Sequence, residues 1–232
     1  MRPAPCPMDD TWLTSAFVLF GTATMSLVRL YLSSFRIGQH PGRLLALAGG
    51  GVRTALIPNA LDGLDAQVRT AGLDRDVHDL HEVGLDVTIL DLRQEGSLGQ
   101  LPDYDIVWVR GGNVFVLRRV LADTGADDLL VELLRCDTMV YGGYSAGGCV
   151  LAPSLSGLEL VDDVTAVAEP LMSGLALLDR PFVPHVCSPN HPETTACGTV
   201  SATYLAAGQP HWALRDGEVL IVDGQEVEHL LA

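Results

Sequence analysis

From Val28 onward, apolar runs of strand length alternate with stretches whose apolar residues recur at helical spacing. That alternation predicts βαβ units around a parallel sheet. The strand candidates are 28–33 (VRLYLS), 52–58 (VRTALIP), 86–92 (DVTILDL), 105–110 (DIVWVR) and 138–143 (TMVYGG). Between them the spacing predicts a short helix at 42–49, a longer polar one over 66–83, and a helix pair in VFVLRRVLAD and ADDLLVELLRC. These connections are long enough for right-handed crossovers. Past residue 150 the pattern changes to a loop through Asp162 and Asp163, a strand at 181–186 and a helix from about His191 to Ala207. The last stretch, HWALRDGEVLIVDGQEVEHLL, places two Asp-Gly turns between alternating residues and predicts an antiparallel meander closing the sheet edge. The fold class expected is a Rossmann-like, mostly parallel α/β sheet flanked by helices.

Composition narrows this further. A chain of 232 residues that is 48% hydrophobic can bury one sizeable core, so residues 28–232 are expected to form a single domain. The formal charge is −15, with only 14 basic residues scattered along the chain. Phosphate contacts need clustered Lys and Arg, so neither nucleic acid nor an anionic membrane is an expected partner. Cys6, Cys136, Cys149, Cys187 and Cys197 are odd in number and without paired spacing, so reduced thiols in a cytoplasmic protein are expected. A homodimer is left open.

Residues 1–27 stand apart. Thr11 to Val28 carries no charge, which approaches the length of a membrane span or an export signal, yet it holds six Ser or Thr and follows Asp9 and Asp10. An extension without fixed structure, or a start placed ahead of a true beginning at Met25, is the reading preferred over an anchor.

The candidate chemistry centres on VYGGYSAGGCVL at 140–151. Gly143-Tyr144-Ser145-Ala146-Gly147 fits G-x-S-x-G, in which small neighbours let a strand fold back sharply into a helix and hold the serine hydroxyl clear of the backbone. Open α/β sheets place ligands at that carboxyl edge. The Ala146 N–H is a natural oxyanion donor. Gly111 and Gly112, in the loop VRGGNVFVL after the preceding strand, would lie beside the serine and can supply the second.

A serine needs a base and the base needs an orienting carboxylate. His185 is the candidate base, because it ends a strand in a loop stiffened by Pro184 and Pro189; His191 and His211 are weaker candidates. Asp162, Asp163 and Asp216 are all admissible as the acid by spacing. His185, Cys187 and His191 could instead form a metal set, H-x-C-x3-H, but no fourth ligand is apparent, so no metal is expected.

Taken together, VRGGNVFVLRR, YGGYSAGGCVLAPSL, VPHVCSPNHPET and ALRDG resemble the peptidase family S51, which includes alpha-aspartyl dipeptidase (peptidase E) and cyanophycinase. The resemblance runs from about residue 28 to 223 with the motifs in order. It implies a fold similar to class I glutamine amidotransferases, with serine in place of their cysteine. It further implies Ser145 as nucleophile, His185 as general base, Gly112 with Ala146 as oxyanion hole, and either Asp216 or Asp163 as third member, motif context favouring Asp216. Asn113, His191 and Glu193 would fall on the substrate side. The implied activity is hydrolysis of an amide bond in a small peptide without a cofactor. The dipeptidase's arginine for a substrate aspartate has no counterpart in Pro192-Glu193-Thr194-Thr195, so the resemblance does not carry Asp-Xaa specificity over. The rival readings are an esterase of the α/β-hydrolase type and a non-catalytic ligand-binding domain on the same fold.

Overall fold

A computed structural model describes residues 28–232, so the expectations for residues 1–27 lie outside the described residues. Seven strands form one sheet, in the order Asp86–Ile89, Arg53–Ile57, Ile106–Val109, Val140–Tyr144, Arg29–Ser33, Val219–Asp223, Glu226–Leu230 from edge to edge. The first five are β1 (Arg29–Ser33), β2 (Arg53–Ile57), β3 (Asp86–Ile89), β4 (Ile106–Val109) and β5 (Val140–Tyr144), all paired in parallel. Each lies within about two residues of its sequence expectation except β3, which stops at Ile89. There the chain turns through Asp91, whose carboxylate takes hydrogen bonds from Asn59 at 2.7 Å and Arg69 at 2.9 Å.

The alternation along the central strands explains the layering. Leu30, Leu32, Val107, Val109 and Tyr141 point into one apolar cluster, and Tyr31, Ile106, Trp108 and Val140 into another on the opposite face. The first is covered by α4 (Val114–Thr124), α5 (Ala126–Arg135), α6 (Ala146–Cys149) and α7 (Thr194–Ala206); the second by α1 (Pro41–Ala48) and α2 (Ala66–Glu82). A further single turn, α3 (Ser97–Gln100), precedes β4. Because both faces are buried, β4 reads Ile-Val-Trp-Val without a polar residue. The edge strand β3 keeps Asp86 exposed.

The C-terminal meander forms only in part. β8 (Val219–Asp223) pairs antiparallel with β1 and with β9 (Glu226–Leu230), through the expected turn at Gly224. β7 (Trp212–Ala213) does not join them. It pairs in parallel with β6 (Phe182–Val183) in a separate two-stranded sheet. The Pro181 carbonyl accepts the Trp212 N–H at 2.7 Å, and the Arg180 guanidinium lies over the Trp212 ring at 4.7 Å, so the segment after α7 is held by β6 and not by β8.

Among the described residues no helix is long and apolar enough to cross a membrane. Among the described residues Cys136, Cys149 and Cys197 are free thiols.

Candidate active site

β5 delivers Ser145 to the carboxyl edge of the sheet. Its backbone sits at φ 51° and ψ −119°, a conformation that costs a non-glycine residue on the order of 1–3 kcal/mol and persists only where the surroundings impose it. The surroundings here are tight on every side. Gly147 passes so close to β4 that an added Cβ would lie 2.1 Å from the Val109 carbonyl oxygen, and one on Gly148 would meet the Phe182 ring at 2.8 Å. The Ser145 carbonyl accepts the Gly148 and Cys149 N–H groups at 2.8 and 2.9 Å, closing the turn into α6. The side chain does not cap that helix, so its hydroxyl stays available.

The loop after β4 packs directly on this elbow. A Cβ on Gly111 would fall 2.9 Å from the Ser145 Cβ, and one on Gly112 would fall 2.4 Å from the Ala60 carbonyl oxygen, with φ already at +148°. Asn113 fixes the loop's exit by capping α4. Its Oδ1 accepts the Phe115 and Val116 N–H groups at 2.9 and 3.1 Å, and its Nδ2 donates to the Asp163 carbonyl at 2.8 Å. That amide is therefore committed to the scaffold. The Gly112 N–H has no carbonyl acceptor among the described residues, and Ala146, first in its helix, has no intrahelical one.

His185 comes from the loop after β6, buried to 1% exposure and held at φ +59°. Its Nδ1 lies 2.7 Å from the Asp216 Oδ1, which fixes the tautomer with the free lone pair on Nε2. Asp216 occupies the turn between β7 and β8, ahead of Gly217 at φ +98°. Burial would raise the Asp216 pKa, but the His185 hydrogen bond and charge, with the Ser34 hydroxyl, outweigh it and hold the carboxyl below its ordinary range. Ser34 joins the pair to the sheet: its hydroxyl accepts the His185 N–H at 2.8 Å and donates to Asp216 at 2.9 Å. Ser33 and Tyr144 are register partners in the β1–β5 pairing, so Ser34 and Ser145 are the next residues of neighbouring parallel strands. The imidazole–carboxylate pair is thus anchored on the strand end beside the elbow. Phe35 spans the two, edge-on to Tyr144 at 6.2 Å and to His185 at 5.9 Å.

The other acid candidates are placed differently. The Asp163 carboxylate is exposed and accepts from the Thr165 N–H at 2.9 Å and hydroxyl at 2.6 Å, capping a short turn. Asp162 is half-buried and accepts the Val114 N–H at 2.8 Å; burial pushes its pKa up to about 7 against that hydrogen bond. His211 pairs with Ser201 at 2.8 Å. His191 instead stacks on His185, ring centroids 3.5 Å apart and planes 4° from parallel. Glu193 Oε2 stands 3.9 Å from the His185 Nε2, and burial raises the Glu193 pKa. The ligand atoms of His185, His191 and Glu193 lie within 4.8 Å of one another, so the set able to hold a metal uses Glu193 where the sequence suggested Cys187.

Three contributors carried no sequence expectation. Ser34 is a serine after a strand, with nothing local to mark it. Phe35 is equally silent. The third is a buried network under the elbow: the Arg110 Nε meets Asp76 at 2.6 Å, and the Tyr144 hydroxyl lies 2.8 Å from Arg110 Nη2 and 3.0 Å from Asp76 Oδ2. Arg110 is 6% and Asp76 2% exposed, so the charges survive burial only as a pair. One signal was present, since Asp76 interrupts the apolar stripe Leu73, Val77, Leu80 on α2. An open cleft of about 380 Å³ adjoins the site, sharing Phe35 and Gly217 with its rim.

Comparison with known proteins bears on the family and the fold. The model of peptidase family S51 matches residues 41–230. Peptidase E of Streptomyces coelicolor is 33% identical over 184 residues, which is 75% of this chain and 69% of that protein. An uncharacterized peptidase of Listeria monocytogenes is 31% identical over 153 residues, 64% of this chain and 72% of its own length. A crystal structure of a Listeria monocytogenes EGD-e protein given the name peptidase E superposes with a TM-score of 0.74 at 24% identity, covering 88% of this chain and 98% of that one. A peptidase from an acI-B1 actinobacterium follows at TM-score 0.65 and 13% identity, over 90% and 96% of the two chains. At those identities the structures speak for the fold.

Proposed function

The chain belongs to peptidase family S51, and from that premise we propose that it is a serine peptidase acting on small peptides, with Ser145 as nucleophile, His185 as general base and Asp216 as the acid that orients the base. The observation that carries this reading is the 2.7 Å contact between His185 and Asp216, docked through Ser34 on the strand end adjoining Ser145.

In the proposed reaction the Ser145 Oγ attacks the scissile carbonyl carbon while the His185 Nε2 takes its proton. The imidazolium so formed is stabilised by the Asp216 carboxylate on Nδ1. The carbonyl oxygen, now negative, receives the Gly112 and Ala146 N–H groups, a contribution typically of about 10²–10³ in rate per donor. Collapse expels the amine, which leaves with the proton from His185, and water then hydrolyses the acyl-enzyme by the same route in reverse. Glu193, 3.9 Å from the His185 Nε2 beside the stacked His191 ring, gives a carboxylate that favours a cationic group of the substrate over an anionic one.

The test is fluorophosphonate labelling with peptide mapping, alongside a panel of peptide and ester substrates. Label on Ser145, lost in Ser145→Ala together with all peptide turnover, is the expected result. Label elsewhere, or turnover that survives the substitution, ends the reading. Activity confined to esters would favour an esterase.

A further inference from the structure

We propose that His185, His191 and Glu193 form a binding site for a divalent transition cation of the Zn²⁺ type, and that the ion blocks the peptidase by occupying the base. The peptidase reading is needed only for the second half of that statement.

The ligand set is two imidazoles and a carboxylate, the chemistry that Zn²⁺ favours, with a fourth position left for water. The three ligand atoms lie within 4.8 Å of one another, and the His185 Nε2 and Glu193 Oε2 are 3.9 Å apart. At the tetrahedral angle two atoms each about 2.1 Å from one ion stand about 3.4 Å apart, so this pair has to close by roughly half an ångström. His185 is already prepared as a ligand. Its Nδ1 is bonded to Asp216 at 2.7 Å, which leaves the Nε2 lone pair free and reproduces the carboxylate–histidine–metal arrangement that orients and strengthens such ligands. His191 must adjust. In the stacked arrangement the lone pairs of the two rings run side by side, so capture requires the His191 ring to turn out of the stack. Its hydrogen bond from the Glu193 N–H, 3.3 Å long, is readily given up. His191 and Glu193 both lie on the short segment before α7.

The functional consequence follows from one lone pair. Proton transfer from Ser145 uses the His185 Nε2, and an ion bound there removes it without any covalent change.

The experiment uses the full chain, stripped with a chelator and exchanged into chelator-free buffer. ZnCl₂ is titrated calorimetrically and CoCl₂ by visible absorption, and fluorophosphonate labelling of Ser145 is followed as Zn²⁺ is added and then withdrawn with EDTA. The expected result is one ion per chain, a tetrahedral-type cobalt spectrum, and labelling suppressed by Zn²⁺ and restored by EDTA. Affinity should fall at least about tenfold in His191→Ala and in Glu193→Gln, the latter preserving shape, and stay unchanged in Ser145→Ala. No binding, binding that survives the double substitution H191A/E193Q, or labelling indifferent to bound Zn²⁺ overturns the proposal. A wild-type chain that is never labelled would instead count against the serine reading, and the titrations would still decide the site.

Discussion

The Ser34 hydroxyl receives the His185 backbone N–H at 2.8 Å, joining residues 151 positions apart, and passes its own proton to Asp216 at 2.9 Å. One side chain at the end of β1 thereby sets the height of the imidazole over the sheet and the orientation of the acid behind it. Ser34→Ala removes both bonds from a buried position and should lower the Ser145 labelling rate while leaving the chain folded, at a stability cost of about 1–3 kcal/mol measured by urea unfolding.

Asp216 and Asp163 can be told apart by parallel substitutions. Asp216→Asn should cut turnover by roughly 10³–10⁴, because the amide neither stabilises the imidazolium nor enforces its tautomer. Asp163→Asn changes an exposed cap and should leave turnover within about threefold. The reverse ranking would move the acid to Asp163.

Gly112→Ala tests the oxyanion loop. The new methyl would press on the Ala60 carbonyl at 2.4 Å in a backbone conformation that L side chains rarely adopt, so the loop must shift and its N–H with it. The expected loss is on the order of 10²–10³ in kcat with KM nearly unchanged. A loss confined to KM would place the donor elsewhere.

The network beneath the elbow predicts a different signature. Tyr144→Phe takes the hydroxyl from between Arg110 and Asp76 and should cost about 1–3 kcal/mol. Asp76→Ala, which strands a buried guanidinium, should cost about 3–5 kcal/mol. Both are read by denaturant unfolding, with the labelling rate of Ser145 falling in the folded Tyr144→Phe protein.

Asp162 predicts a pH dependence. Burial lifts its pKa to about 7 in the folded chain, so between about pH 4 and pH 7 the folded state binds more protons than the unfolded one. Stability from this group is therefore greatest at the acid end and falls as pH rises through 7. Asp162→Asn keeps an acceptor for the Val114 N–H and carries no charge. It should stabilise the protein by on the order of 1–3 kcal/mol at pH 8 and by little at pH 5, measured by thermal unfolding at both pH values. Asp216 has the opposite sign, its contribution being present at neutral pH and lost as the solution is acidified through its lowered pKa.

Periodicity and turn chemistry are local, which is why the βαβ order, the five parallel strands and the elbow at Ser145 could be read from the residues alone. Each is written in residues within a few positions of one another, and the apolar patterns left little choice of face. The glycines at 111, 112 and 147 were legible for the same reason, as places where one backbone must approach another. The three-dimensional packing settled whatever depends on residues that meet from distant parts of the chain. It set Asp216 and not Asp163 against His185, committed Asn113 to a helix cap, and drew Glu193 rather than Cys187 toward the two histidines. It also parted β7 from the meander, because the strand expected at 181–186 pairs with it, and local pattern does not say which strands pair. Ser34 and Asp76 show the limit most plainly: a hydroxyl or a carboxylate becomes buried only when folding removes water and brings its partners from distant parts of the chain within reach.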